Sequence, residues 1–171
     1  MNRILSKLVG SGILGAAVLL GSPAMAAESA YFQSEIAKAK AQFELDKQRC
    51  NTLKGNEQDV CRDRAVANLK IAEADLRAYE KNTTAAGLKA EQERIDQNYK
   101  VDKEKCDSYK GVSKDICIAQ AESVKLRREG NLQALESRLE GDYRVATEKC
   151  ERLAGDKRSA CKDEAKRAYK P

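Results

Sequence analysis

The chain has 171 residues, with 32 Lys and Arg against 27 Asp and Glu, a net charge of +5, no His and no Trp. Without histidine it lacks the usual general base and the commonest metal ligand, and its charges alternate in sign instead of forming the basic block that nucleic acid requires. Charged residues make up 35% and there are only 2 prolines, one of them Pro171, so long solvated helices over a thin core are expected rather than strands.

Residues 1–26 read as a signal peptide. Arg3 and Lys7 precede an apolar run from Leu8 to Gly21, and Ala24-Met25-Ala26 has the small residues of a cleavage site, with Ala24 and Ala26 at its key positions. The apolar run is short for a membrane span and has no successor, so no stable membrane insertion is expected after cleavage. Residues 27–171 then form a single exported all-α domain.

The first helix is expected from 27 to about 54, striped by Phe32, Ile36, Phe43, Cys50 and Leu53. A second runs from about 57 to 81 through Cys61, Ala65, Leu69, Ala72, Leu76 and Tyr79. Asn82 to Gly87 is the clearest break, and its Asn82-Thr83-Thr84 matches a glycosylation sequon but reads as a loop. The next helix spans about 88–110 with Leu88, Ile95, Tyr99, Cys106 and Tyr109. Another runs from about Ser113 to Arg128. A joint is expected at Gly130-Asn131 or at Gly141, before a helix carrying Leu132, Leu135, Leu139, Tyr143, Ala146, Cys150 and Leu153. The last covers about 157–170. The expected architecture is three helical hairpins at about 28–81, 88–129 and 131–170, elongated or in a loose bundle with coiled-coil-like packing.

One unit carries this organisation. It reads CNTLKGNEQDVCRDRA from Cys50, CDSYKGVSKDICIAQA from Cys106 and CERLAGDKRSACKDEA from Cys150. Each copy has a glycine between two cysteines (Gly55, Gly111, Gly155), an alanine after the second (Ala65, Ala121, Ala165) and an aromatic before the first (Phe43, Tyr99, Tyr143). Glycine accepts the left-handed conformation that ends a helix, and Asn56, Ser113 or Asp156 is placed to cap the next one. Asn56 with Asp59 resembles a capping box. Each cysteine lies roughly one helical turn from the bend, so antiparallel helices bring the pair within bridging distance. Among the pairings that six cysteines allow, the repeated spacing selects Cys50–Cys61, Cys106–Cys117 and Cys150–Cys161. An unbroken helix would instead hold each pair about 16 Å apart and bridge only to another chain. A glycine in every copy costs such a helix about 1 kcal/mol each time.

Closing a loop of about a dozen residues stabilises by about 3 kcal/mol in the chain-entropy model, far more than a surface ion pair at under about 1 kcal/mol. Reductant should therefore lower the melting point sharply. Disulfides also imply an oxidising compartment, so a periplasmic or secreted location is expected.

Chemistry is sparse. The cysteine spacing is not that of a zinc site, and Cys-x-x-Cys, a Gly-x-x-x-x-Gly-Lys phosphate loop and Gly-x-Ser-x-Gly are all missing from the sequence. Pairs such as Glu91 and Glu93 read as solvating groups. No enzyme activity, cofactor, metal or nucleic-acid partner is expected.

The Cys-x-x-(Leu/Tyr)-x-Gly-x5-Cys-x3-Ala unit behind an export signal resembles small secreted or periplasmic Cys-x10-Cys helical-repeat proteins of Gram-negative bacteria, often labelled TolA-like or cell-envelope-biogenesis proteins. Cys106, Asp107, Gly111, Lys114, Asp115 and Cys117 match their C-D-x-L-x-G-x-x-K-D-x-C element best, with Tyr109 in place of Leu. The label follows shared Ala/Lys/Glu helix composition, since nothing in these residues looks like a membrane anchor followed by a globular TolA end domain. The resemblance implies periplasmic location and helical form and supplies no catalytic residues. The leading expectation is a non-enzymatic structural or interaction protein of the cell envelope, meeting a protein or envelope partner or itself. A stress-linked periplasmic chaperone or binding module, and a thiol-redox or metal-responsive protein, are the alternatives.

Overall fold

The computed structural model describes residues 28–169. The expected cleavage site at Ala24 and Ala26 lies outside them. Five α-helices follow in order, α1 (Ala30–Cys50), α2 (Asn56–Lys81), α3 (Thr84–Lys105), α4 (Val112–Cys150) and α5 (Gly155–Tyr169), with a short 3-10 turn at Cys106–Ser108. The fold is all-α, and three disulfides join helices at hairpin bends.

The helices pack in chain order: α2 lies between α1 and α3, and α3 between α2 and α4. A helix flanked on both sides needs two narrow faces. In α2 the buried residues are Ala65 and Ala67, and in α3 they alternate through Ala86, Leu88, Ala90, Ile95, Gln97 and Val101. Small residues let the neighbours approach, and among the described residues the one sizeable apolar cluster is Leu88, Ile95 and Leu132 with Leu135 and Leu139 packed against it. Arg94 Nη2 on α3 donates to both carboxylate oxygens of Asp75 on α2, at 2.7 and 2.9 Å. The backbone N–H of Ser29 donates to Glu80 at 2.7 Å, closing the start of α1 onto the end of α2.

The reversal between α2 and α3 is tighter than the sequence suggests. Asn82 takes the left-handed conformation at φ 44° and Thr83 caps α3 by accepting from the N–H of Ala86. Asparagine is among the few side-chain-bearing residues that visit this region readily. Helix α3 therefore starts at Thr84, not near Leu88, and Gly87 is inside it.

The largest correction concerns α4. The joint expected at Gly130 or Gly141 is absent: α4 runs unbroken for 39 residues, about 58 Å, through both. Two interior glycines cost about 1 kcal/mol each, and the Leu132, Leu135 and Leu139 stripe keeps helical phase across them. The second and third hairpins thus share one helix instead of occupying 88–129 and 131–170 separately.

This continuity sets the topology. Helix α3 runs back along the first half of α4, and α5 runs back along its second half. They meet end to end where the Thr84 hydroxyl donates to the carbonyls of Arg167 at 3.2 Å and Ala168 at 2.6 Å. The first two hairpin bends lie at one end of the array and the third at the other.

Candidate functional site

The three bends are built alike. The first helix ends at or next to its cysteine, and a backbone N–H three residues on returns to that cysteine's carbonyl: Leu53 to Cys50 at 3.1 Å, Tyr109 to Cys106 at 3.0 Å and Leu153 to Cys150 at 3.0 Å. Gly55, Gly111 and Gly155 follow at φ 57°, 54° and 53°. With ψ of −146° at Gly55 and −141° at Gly111, this backbone is close to one that essentially only glycine adopts.

The glycines do not end the first helix, as expected, but open the second. Gly55 and Gly111 are the N-caps of α2 and α4, and their carbonyls accept the first helical N–H groups, from Gln58 and Asp59 and from Lys114 and Asp115. Asn56 and Ser113 therefore lie within the helices instead of capping them, and Asp156 is likewise inside α5. The capping box of Asn56 and Asp59 does not form. Asn56 instead donates through Nδ2 to the carbonyl of Glu104 at 2.8 Å, tying the first bend to the end of α3.

Cys50 bonds Cys61, Cys106 bonds Cys117 and Cys150 bonds Cys161, with Cα–Cα distances of 5.5, 5.6 and 5.6 Å. In each pair the first sulfur is buried and the second half-buried, and Ala65, Ala121 and Ala165 are buried one turn further on. No cysteine is left unpaired. Among the described residues no group of His, Cys, Asp and Glu is arranged to hold a metal ion.

A second layer of each bend is not apparent from the cysteine pattern. The residue after the first cysteine is an acceptor in all three copies: Asn51, Asp107 and Glu151. Arg62 donates to Asn51 at 3.2 Å. Lys114 pairs with Asp107 at 2.8 Å. Glu151 takes Lys162 and, at 3.6 Å, Arg158. Ile118 stands in the second bend where Arg62 and Lys162 stand in the others, and there Lys114 replaces the missing donor. Gln58 and Arg158 occupy the place equivalent to Lys114 and donate to the carbonyls of Cys50 at 3.2 Å and Leu153 at 2.7 Å. The readable signal was a long donor at this place in every copy. The hydrogen bond from Lys162 holds the Glu151 carboxyl below its ordinary range, and the one to Asp107 raises Lys114. Burial, followed by the nearby carboxylates of Asp107, Asp63 and Asp59, holds Glu104 above its ordinary range.

The repeated aromatics Phe43, Tyr99 and Tyr143 are half-buried packing groups. Lys47 lies 5.1 Å over the Phe43 ring and Lys125 5.2 Å over Tyr99. A groove of about 590 Å³ opens where α3 begins, lined by Leu88, Leu132, Leu135 and Leu139 with Thr84 and Arg128 at its rim.

No family model matches the chain, and neither a curated protein nor a solved structure matches it.

Proposed function

We propose that the chain is a non-enzymatic interaction protein of an extracytoplasmic compartment, most specifically the periplasm and cell envelope of a Gram-negative bacterium. The observation that carries this reading is the set of three cystines, each closing a bend of a helical array whose buried apolar residues are mostly small, with Leu88, Ile95 and Leu132 as the apolar cluster among the described residues. Disulfides persist in oxidising surroundings, and covalent closure of this kind stands in for a large core in exported domains. None of the described helices is long and apolar enough to cross a membrane. What the fold offers is long, charged, accessible helix faces held in fixed relation, which suits contact with a partner better than turnover of a substrate.

In-cell cross-linking tests this directly. The exported chain, carrying a photoreactive residue at an exposed position such as Arg138, is expected to capture a discrete envelope partner or a second copy of itself. Recovery of only monomeric chain, with fractionation placing it in the cytoplasm, would refute the reading.

The Leu88, Leu132, Leu135 and Leu139 groove favours a second reading, a binding module for apolar segments of a client. Suppression of client aggregation by the intact chain, lost on Leu135→Asp, is its expected signature.

A further inference from the structure

Helix α4 has two apolar faces, and only one is used. Leu132, Leu135 and Leu139 pack with Leu88 and Ile95 of α3, and Ala121 is buried on the same side of the helix. On the opposite side Val112, Ile116 and Leu126 are 73%, 53% and 66% exposed. Between and beyond them the same face carries Ala119, Ser123, Gly130, Ala134 and Ser137, all exposed, and it continues to Gly141. Successive members are three or four residues apart, so they stack in one straight line along the helix. No Lys, Arg, Asp or Glu interrupts this line from Val112 to Gly141, in a chain that is 35% charged.

The charges stand on either side of the line and are sorted by sign. One flank carries Asp115, Glu122 and Glu129; the other carries Arg127 and Arg138, with the neutral Gln120 one heptad before Arg127. Arg127 and Arg138 make no ion pair among the described residues. Resting on the interaction-protein reading above, we propose that this face is a self-docking seam: α4 of one copy packs in parallel against α4 of a second copy about a twofold axis along the helices.

Charge complementarity selects both the occupant and the direction. In a parallel pair, a flank residue of one helix meets the opposite flank of the other about five residues further on, which sets Glu122 beside Arg127 of the second copy, twice by symmetry. An antiparallel pair would set the acidic flanks against each other and the arginines together. Heptad spacing holds from Val112 to Gly130 and is followed by one stutter, which straightens the seam. Small residues around that point permit close approach, while Val112, Ile116 and Leu126 supply the buried apolar area.

The size of the seam fixes the expected strength. It is about 44 Å long and about 10 Å wide, roughly 450 Å² on each copy, below the roughly 800 Å² per partner of standard interfaces. Association should therefore be reversible, in the micromolar range, and not obligate.

The test is sedimentation velocity of the oxidised, signal-free chain across about 1 μM to 1 mM. A monomer–dimer equilibrium is expected. Ile116→Lys with Leu126→Lys should abolish the dimer while helicity and the melting point stay as they are, because both positions are exposed. Glu122→Arg should weaken association at least several-fold, and adding Arg127→Glu should restore it. A chain that stays monomeric to about 1 mM, or a dimer indifferent to Ile116→Lys with Leu126→Lys, overturns the seam. Tighter association on Glu122→Arg alone overturns the parallel direction. None of these results decides the broader reading, which the cross-linking capture measures separately.

Discussion

Removing the third staple should open α5 and the last turns of α4 beside it, and leave α2 and α3 closed. Helix α5 has 15 residues and buries only Ala165 within them. A helix of that length is marginal in water by itself. Besides its packing on α4, its attachments are the Thr84 hydroxyl on the carbonyls of Arg167 and Ala168, Glu151 with Lys162 and Arg158 across the bend, and Arg158 on the carbonyl of Leu153. Closing a loop of about a dozen residues contributes about 3 kcal/mol, so the double variant Cys150→Ala with Cys161→Ala should raise the population of the opened segment about 150-fold. Alanine avoids leaving a polar group at Cys150, which is buried. Hydrogen exchange followed by peptide mass analysis reads the result. Protection should fall about a hundredfold over residues 155–169 and fray the last turns of α4, with α2 and α3 unchanged, since those two are packed on both sides. Unchanged protection over 155–169 would show that packing alone holds α5. An equal loss across α2 and α3 would show that the array unfolds as one unit.

The glycines separate by conformation. Gly55→Ala should destabilise by about 1–3 kcal/mol in urea titration although no atom lies within 4 Å of the added Cβ, because the cost is in the backbone at φ 57°. Gly87→Ala, in the regular backbone of α3 with equally open space, should stabilise by about 1 kcal/mol; the same sign for both would refute the backbone argument. Glu104 titrates above its ordinary range, so its ionised form is disfavoured in the fold and its contribution to stability improves as pH falls through that raised value toward the ordinary carboxyl range. Glu104→Gln should therefore be at least as stable as the parent near neutrality, with the gap closing in acid, and a less stable variant near pH 7 would reverse the assignment.

The cystine pairing was legible because the same spacing recurs around all three glycines, and the structure adds only how the loop is filled. The role of each glycine was half legible. A glycine followed by Asn56, Ser113 or Asp156 fits both a helix ending on the glycine and one starting from it, and only the returns from Leu53, Tyr109 and Leu153 decide that the first helix has already stopped at its cysteine. Gly130 and Gly141 were misread for an energetic reason. Each costs about 1 kcal/mol, less than the apolar burial lost if the line of Leu132, Leu135 and Leu139 were broken. Asn82 and Thr83 turn the chain where those glycines do not, because a left-handed residue followed by a capping threonine satisfies the backbone on both sides of the bend. The donors Arg62, Lys114, Arg158 and Lys162 were legible only by their reach, since their types differ between copies.

The unequal intervals between the three bends have a structural meaning that follows from α4. Between Cys61 and Cys106 the chain completes α2, reverses at Asn82 and Thr83, and returns along α3. Between Cys117 and Cys150 it omits the reversal and runs straight, over an interval shorter by about three helical turns. A reversal in both places would have gathered all three bends at one end and folded α4 in half. Omitting one sends the third bend to the far end and lets α3 and α5 tile a single long helix from one side. The other side of that helix is then an uninterrupted face, and its uncharged line is continuous only because no joint was made at Gly130.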